Sequence, residues 1–181
     1  LDDAALRRAL NALLPADIAV RSVETAPLEF DPRRCARSKT YRYTLLRQAV
    51  RSPMLARFSV HAPGPLDLEA MRGAGLALLG THDFSAFRAG TCAAATPVRT
   101  LTRVEWRTDG PLWHLEIDGN AFLQHMVRII VGTLLEVGRG ARHPTALTEA
   151  LASRDRRRAG KTAPPQGLCL VAVAYEPAAG A

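Results

Sequence analysis

The sequence predicts an α+β fold, a mainly antiparallel sheet with helices packed on it. Three observations carry that prediction. Residues 98–118 alternate in polarity on either side of an Asp109-Gly110 turn, the mark of a β-hairpin. Residues 121–137 form an apolar run that is too long for a strand and suits a helix buried against a sheet. Further alternating segments at 38–46 and 168–175, with helical stretches set between the strands, argue for α+β.

The elements follow in order. Leu6, Leu10, Leu13 and Leu14 recur at helical spacing, and Pro15 stops that first helix. A short strand is expected over Ile18–Val23, then a connector over Thr25–Pro32. In the strand Ser38–Leu46, Tyr41, Tyr43 and Leu45 share one face, and Thr40, Arg42 and Thr44 the other. A Pro- and Gly-bearing loop spans Arg51–Pro65. A helix over Leu66–Leu79 is expected to end at a Gly80 C-cap, and a loop continues to Pro97. In the hairpin, Val98, Thr100, Thr102, Val104 and Trp106 are placed on one face, opposite Arg99, Arg103 and Arg107. On the return strand Trp113, Leu115 and Ile117 oppose His114, Glu116 and Asp118. The long helix Ala121–Val137 stops at Gly138. A shorter helix starts near Pro144, and a basic loop leads to the last strand, Leu168–Tyr175.

Composition narrows the function. The chain has 181 residues, 48% of them apolar, with a net charge of +7 and a pI near 10.1. Such an excess suits a polyanionic partner or simply a solvated basic surface. The three cysteines are far apart, which fits a reducing, cytoplasmic compartment better than a disulfide scaffold. Neither they nor the five histidines show ligand spacing, so no metal site is expected. The apolar run 122–137 is interrupted by Gln124, His125, Arg128 and Glu136 and is too short to span a bilayer.

The charge is clustered. Between Arg33 and Pro65 there is no carboxylate, while Arg33, Arg34, Arg37, Lys39, Arg42, Arg47, Arg51 and Arg57 surround Tyr41 and Tyr43. Guanidinium groups clamp phosphate oxygens, and aromatic rings stack on unpaired bases. A second cluster holds Arg154, Arg156, Arg157, Arg158 and Lys161. With no helix-turn-helix, zinc finger or basic zipper, RNA is favoured over duplex DNA. In the long helix Gln124, Arg128 and Gly132 fall on one face, with Gly132 leaving room above it. Arg128 then either snorkels at the helix edge or pairs with an anion.

Four blocks, SKTYRY (38–43), GTHDFSAFR (80–88), NAFLQHMVRIIVGTLLEVG (120–138) and KTAPPQGLCLVAVAY (161–175), together with LLPADIAVRSV (13–23), resemble in order and spacing the TruA-type tRNA pseudouridine synthases. The resemblance implies a pseudouridine synthase-like fold and a cofactor-free isomerisation of uridine in the tRNA anticodon stem-loop by a cytoplasmic homodimer. It implies that residues 1–27 are the tail of an N-terminal α/β domain and 28–181 a C-terminal domain with the RNA-binding cleft. Tyr41 matches the active-site tyrosine, and Arg128 the arginine that pairs with the nucleophilic aspartate. Leu168 matches a residue lining the base pocket, with plain strand core a strong competing reading. Arg37, Lys39 and Arg42, with Arg156, Arg157 and Arg158, are the expected RNA contacts. Phe84 and Phe87 belong to a loop near the cleft or to the core. The family's GRTDAG-like nucleophile motif is not found; Arg107-Thr108-Asp109-Gly110 is a hairpin turn and a decoy. With Leu rather than Met at position 1, the chain reads as a fragment lacking the nucleophilic Asp and inactive alone. The alternative is a non-catalytic RNA-binding module derived from the same fold. An isolated piece of this kind is expected to expose apolar surface and an unpaired sheet edge.

Overall fold

The computed structural model describes residues 2–175, which divide into two compact units at the 35–36 boundary. In the first, helix α1 (Asp3–Leu13) is opened by Asp2, whose carboxylate accepts from the Ala5 N–H. The strand expected over Ile18–Val23 does not form. The Asn11 amide instead exchanges two hydrogen bonds with the Val20 backbone (2.8 and 2.9 Å), and Asp3 accepts from the Thr25 N–H. Side chains of α1 take the bonds that a sheet partner would otherwise supply.

The second unit is α+β, with one six-stranded, mostly antiparallel sheet. Its central strand β1 (Ala36–Leu46) pairs along one edge with β5 (Leu112–Gly119). Its other edge takes the last strand β6 (Leu168–Tyr175) and, at Leu45–Leu46, the two-residue parallel strand β2 (Val60–His61). Strand β4 (Val98–Asp109) follows β5, and β3 (Gly80–Asp83) closes the far edge. The predicted strands 38–46 and 168–175 and the hairpin are present. Strands β2 and β3 are additions in segments read as loops, each too short to show alternation. Gly80 is not a helix C-cap: helix α2 (Leu68–Leu76) ends earlier, and Gly80 opens β3 at φ 94°.

The hairpin face assignment holds only from Arg103 onward. A bulge between Leu101 and Arg103 puts Leu101, opposite Gly119, on the core face with Val104 and Trp106, so Val98 and Thr100 face the other way. A side chain at Gly119 would meet Leu101 at 2.6 Å and the Thr100 carbonyl oxygen at 2.9 Å, and the backbone contact is the one that requires glycine there.

Helices α2, α3 (Met126–Gly138) and α4 (Ala146–Ser153) pack with Tyr43, Leu45, Leu101, Trp106, Leu115 and Ile117 in one core. Phe84 and Phe87 are fully buried in it, which settles their role as core aromatics. Pro144 lies in the turn before α4 rather than in its first turn. The opposite sheet face is polar. Glu116, only 5% exposed, accepts from Arg42 and from Arg103, and Arg103 also grips Asp118. At the edge of the sheet, Leu170, Val171 and Tyr175 of β6 are exposed, and among the described residues β6 pairs only with β1. No helix among the described residues is long and apolar enough to cross a membrane.

Candidate active site

The site is built from β1 outward. Tyr43 is fully buried, and its hydroxyl donates to the Pro164 carbonyl at 2.7 Å. Gly167 lies against the Tyr43 ring so closely that a Cβ there would sit 2.8 Å from it. Together these contacts fix the Pro164–Gly167 turn and so deliver Leu168, the first residue of β6, opposite Tyr43. Burial pushes the Tyr43 phenol far above its ordinary range, so it acts as a neutral donor.

Tyr41, two residues earlier and on the same face, is half-buried. Its ring meets Phe122 edge to face, with centroids 4.9 Å apart. Burial raises its phenol as well. Tyr41 and Leu168 line a cleft of about 250 Å³ with Phe122 and residues 123–127.

That wall is where the long helix differs from its prediction. Residues 121–125 are not helical; α3 starts at Met126, because His125 takes a left-handed conformation at φ 61°. The Asn120 side chain turns the chain off β5 by accepting from the N–H groups of Thr100 and Ala121. Left-handed backbone in a non-glycine residue is uncommon and concentrates at functional sites. It carries Phe122, Gln124 and His125 into the cleft wall. Gln124 therefore does not share a helix face with Arg128; its Oε1 accepts from Thr91 and its carbonyl from the Ala89 N–H.

Arg128 stands in the first turns of α3, next to Val127 of the cleft. It does not line the cleft itself. Its Nε donates to the Ala163 carbonyl at 2.7 Å, while its own carbonyl accepts from the Ala163 N–H at 3.0 Å. Its terminal nitrogens form no hydrogen bond or ion pair among the described residues. The room expected above Gly132 is occupied: the Lys161 carbonyl oxygen lies 1.6 Å from where a Cβ would be. The same loop is tied to α3 by the Gly160 N–H, which donates to Thr133 at 2.8 Å.

The basic residues separate into groups. Lys39 lies on the Tyr41 face, opposite Gly119, and its ammonium has no partner among the described residues. Arg37 is exposed at a bulge in β1. Arg42 faces the other side of the sheet and is committed to Glu116 at 2.6 Å, so the structure does not bring it to the cleft. Arg156 is spent on its own loop, donating to the carbonyls of Ala159 and Gly160. Arg157 is highly exposed but paired with Asp155, and the exposed Arg158 side chain makes no hydrogen bond or ion pair among the described residues, though its charge also acts on Asp155. Asp109 ends β4 at the hairpin turn, at the Leu46–Leu112 end of the sheet. That is five residues, ~17 Å, from the Tyr41–Ile117 pair. Among the described residues no group of three or more His, Cys, Asp or Glu side chains could hold a metal.

A half-buried tyrosine over a small, mostly apolar cleft, with Arg128 next in the chain to Val127 of its wall, is an arrangement suited to holding a flat ring. The tRNA pseudouridine synthase family model matches residues 74–176, which include the cleft wall, α3 and β6. The chain belongs to that family. It is 52% identical over 166 residues to tRNA pseudouridine synthase A of Geotalea uraniireducens, covering 92% of this chain and 68% of that protein. To tRNA pseudouridine synthase A of Syntrophotalea carbinolica it is 50% identical over 175 residues, 96% of this chain and 69% of the relative. The same-named protein of Geobacter sp. (strain M21) is 49% identical over 172 residues, 94% of this chain and 70% of the relative.

Sequence reasoning singled out Tyr41 and Leu168, which the cleft brings together, and Arg128, which lies outside its lining; it missed Phe122 and His125 as cleft residues. Only the left-handed backbone at His125 separates them from the helix, and the apolar pattern gives no sign of it.

Proposed function

We propose that this chain supplies the uridine-binding wall of a synthase that converts uridine to pseudouridine in the tRNA anticodon stem-loop. The observation that supports this most is the cleft of about 250 Å³ between Tyr41, Leu168 and the Phe122–Val127 turn. A space below the usual range for drug-sized ligands suits a single base turned out of its stack. The Tyr41 ring would pack on the uracil, Leu168 would cover its edge, and the Tyr41 hydroxyl is placed to serve the proton that leaves C5.

The reaction needs an attacking carboxylate. In this reading Arg128 holds that aspartate ionised, and the aspartate comes from outside these residues. The terminal nitrogens of Arg128 are uncommitted, and its Nε anchor to Ala163 already fixes the guanidinium. Residues 1–27 would then be the tail of the N-terminal domain that carries the nucleophile, and 28–181 the C-terminal domain. Lys39, Arg37, Arg157 and Arg158 are the residues placed to meet phosphates, in a cytoplasmic homodimer that uses no cofactor. Arg42 is turned to the other face of the sheet by the buried Glu116, and Arg156 is bonded into its own loop, so both drop out of that set.

The test is Tyr41→Phe in the complete enzyme, followed by tritium release from tRNA labelled at C5 of uridine. Loss of release with tRNA affinity retained supports the assignment. Full release removes the hydroxyl from the mechanism.

A further inference from the structure

Residues 50–58 present three large apolar side chains to solvent: Val50 is 73%, Met54 86% and Phe58 71% exposed. This is not loose chain. The Phe58 N–H donates to the Leu55 carbonyl (3.0 Å), and the Ser59 hydroxyl donates to the same carbonyl at 2.8 Å. Val60 then joins the sheet beside Leu45. Further along, Arg47 stacks on Trp113 at 4.7 Å and donates to the carbonyls of Ala62 and Gly64. A loop braced at this many points, yet turned apolar side outward, disfavours the isolated protein and marks an interaction surface.

The charge around it indicates the partner. Arg51 and Arg57 flank the apolar residues, neither has an ion pair among the described residues, and no carboxylate occurs anywhere in the window 33–65. Beside the loop lies a pocket of about 150 Å³ that Arg51, Ser52, His61 and Gln166 line without any acid. His61 donates through Nε2 to the Gln48 carbonyl (2.9 Å), and the Gln166 amide is uncommitted among the described residues. Exposed aromatic surface between free guanidinium groups is what an unpaired base and its phosphate require. An acid-free rim matches a polyanion better than another basic chain of net charge +7.

We infer that the 50–61 loop is a second RNA-binding site, where Phe58 stacks on an unpaired base of the tRNA while Arg51 and Arg57 take the adjoining phosphates. It lies at the Leu46 end of β1, five residues or ~17 Å from Tyr41. It would therefore position the tRNA body rather than the reacting uridine. This inference rests on the proposed tRNA-binding role.

The experiment measures tRNA affinity of the chain by fluorescence anisotropy over a salt series, with melting curves and sedimentation on every variant. Phe58→Ala should weaken binding roughly tenfold, the worth of one stacked base, with an unchanged salt slope; Phe58→Trp should restore it. Arg51→Gln with Arg57→Gln should lower the salt slope by about 0.7 for each arginine removed. Parental affinity in all these variants, alongside a loss in Lys39→Gln, would overturn the second site and leave the RNA-binding reading intact. Unchanged affinity with a shift toward monomer in Phe58→Ala would overturn it in favour of a contact between copies. No tRNA binding by the parent would sink both readings.

Discussion

Replacing Gly132 by alanine should damage this protein more than its small size suggests. On helix propensity alone, Gly→Ala inside α3 would gain about 1 kcal/mol. The structure reverses the sign. The new methyl carbon would lie 1.6 Å from the Lys161 carbonyl oxygen and 2.8 Å from its carbon. Reaching the 3.0 Å below which such contacts do not occur means moving the helix and the loop apart by about 1.4 Å. The obstacle is backbone, so no side chain can swing away. The contacts at risk are the Ala163 N–H to the Arg128 carbonyl, Arg128 Nε to the Ala163 carbonyl, and the Gly160 N–H to Thr133. Losing two of these at ~1 kcal/mol each, plus overpacking of about 1–3 kcal/mol, gives a net cost of roughly 2–4 kcal/mol after the helix gain. Urea unfolding monitored by circular dichroism measures it. Gly73→Ala is the control: in α2, with nothing within 4 Å of a new Cβ, it should be neutral or stabilising by up to about 1 kcal/mol. Equal midpoints for Gly132→Ala and the parent would refute the packing argument.

Other outcomes follow from the same contacts. In the complete enzyme, Tyr41→Phe should leave the melting temperature within a degree or two of the parent while lowering single-turnover tritium release about 10²–10⁴-fold, the usual span for a lost proton-transfer group. Burial raises the Glu116 carboxyl, but hydrogen bonds and charges from Arg42 and Arg103 outweigh it, and the net shift is downward. Its contribution is therefore complete above the unfolded value of about 4.3 and is lost as pH falls through the lower folded value. Asp118 behaves alike, with burial raising its carboxyl and hydrogen bonds from Arg103 and Thr40 lowering it further. Thermal melts should begin to decline below about pH 6.5, because burial and the Arg42 charge hold the His114 imidazole below its usual value, and fall further below about 4; Glu116→Gln should cost about 1.5–3 kcal/mol at neutral pH and flatten the lower part of that fall. Arg156→Ala should lower stability, since it removes hydrogen bonds to two loop carbonyls, whereas Arg158→Ala should leave melting unchanged and reduce the salt slope of tRNA binding.

Much of this fold was legible in the sequence because its main elements have strong periods. The strands at 38–46 and 168–175 and the Asp109-Gly110 hairpin come from alternation and turn chemistry, and α3 from a long apolar run. What stayed hidden depends on partners. The two-residue strand β2 and the four-residue strand β3 exist because β1 and β4 offer edges to them. The bulge at 101–103 exchanges the outward face of β4, and nothing local announces it. In the site, Tyr41 and Leu168 were visible through motif order, and the cleft unites them. Arg42 looked like an RNA contact, but Glu116 sits opposite it in the ladder, and a single-sequence charge count cannot see across a sheet. Gly132 looked like open space, and a backbone segment 29 residues further along the chain fills it.

We propose that these residues hold the uridine while the attacking carboxylate comes from elsewhere. The direct measurement is tritium release from C5-labelled anticodon-arm tRNA. It compares this chain with a chimera that adds the N-terminal segment of the Geotalea uraniireducens relative. Binding by both with release only from the chimera is the predicted result. Release from the 181-residue chain alone would contradict the account and put the nucleophile among its own carboxylates. Binding by both with release from neither would point instead to a module that has kept the cleft and lost the chemistry.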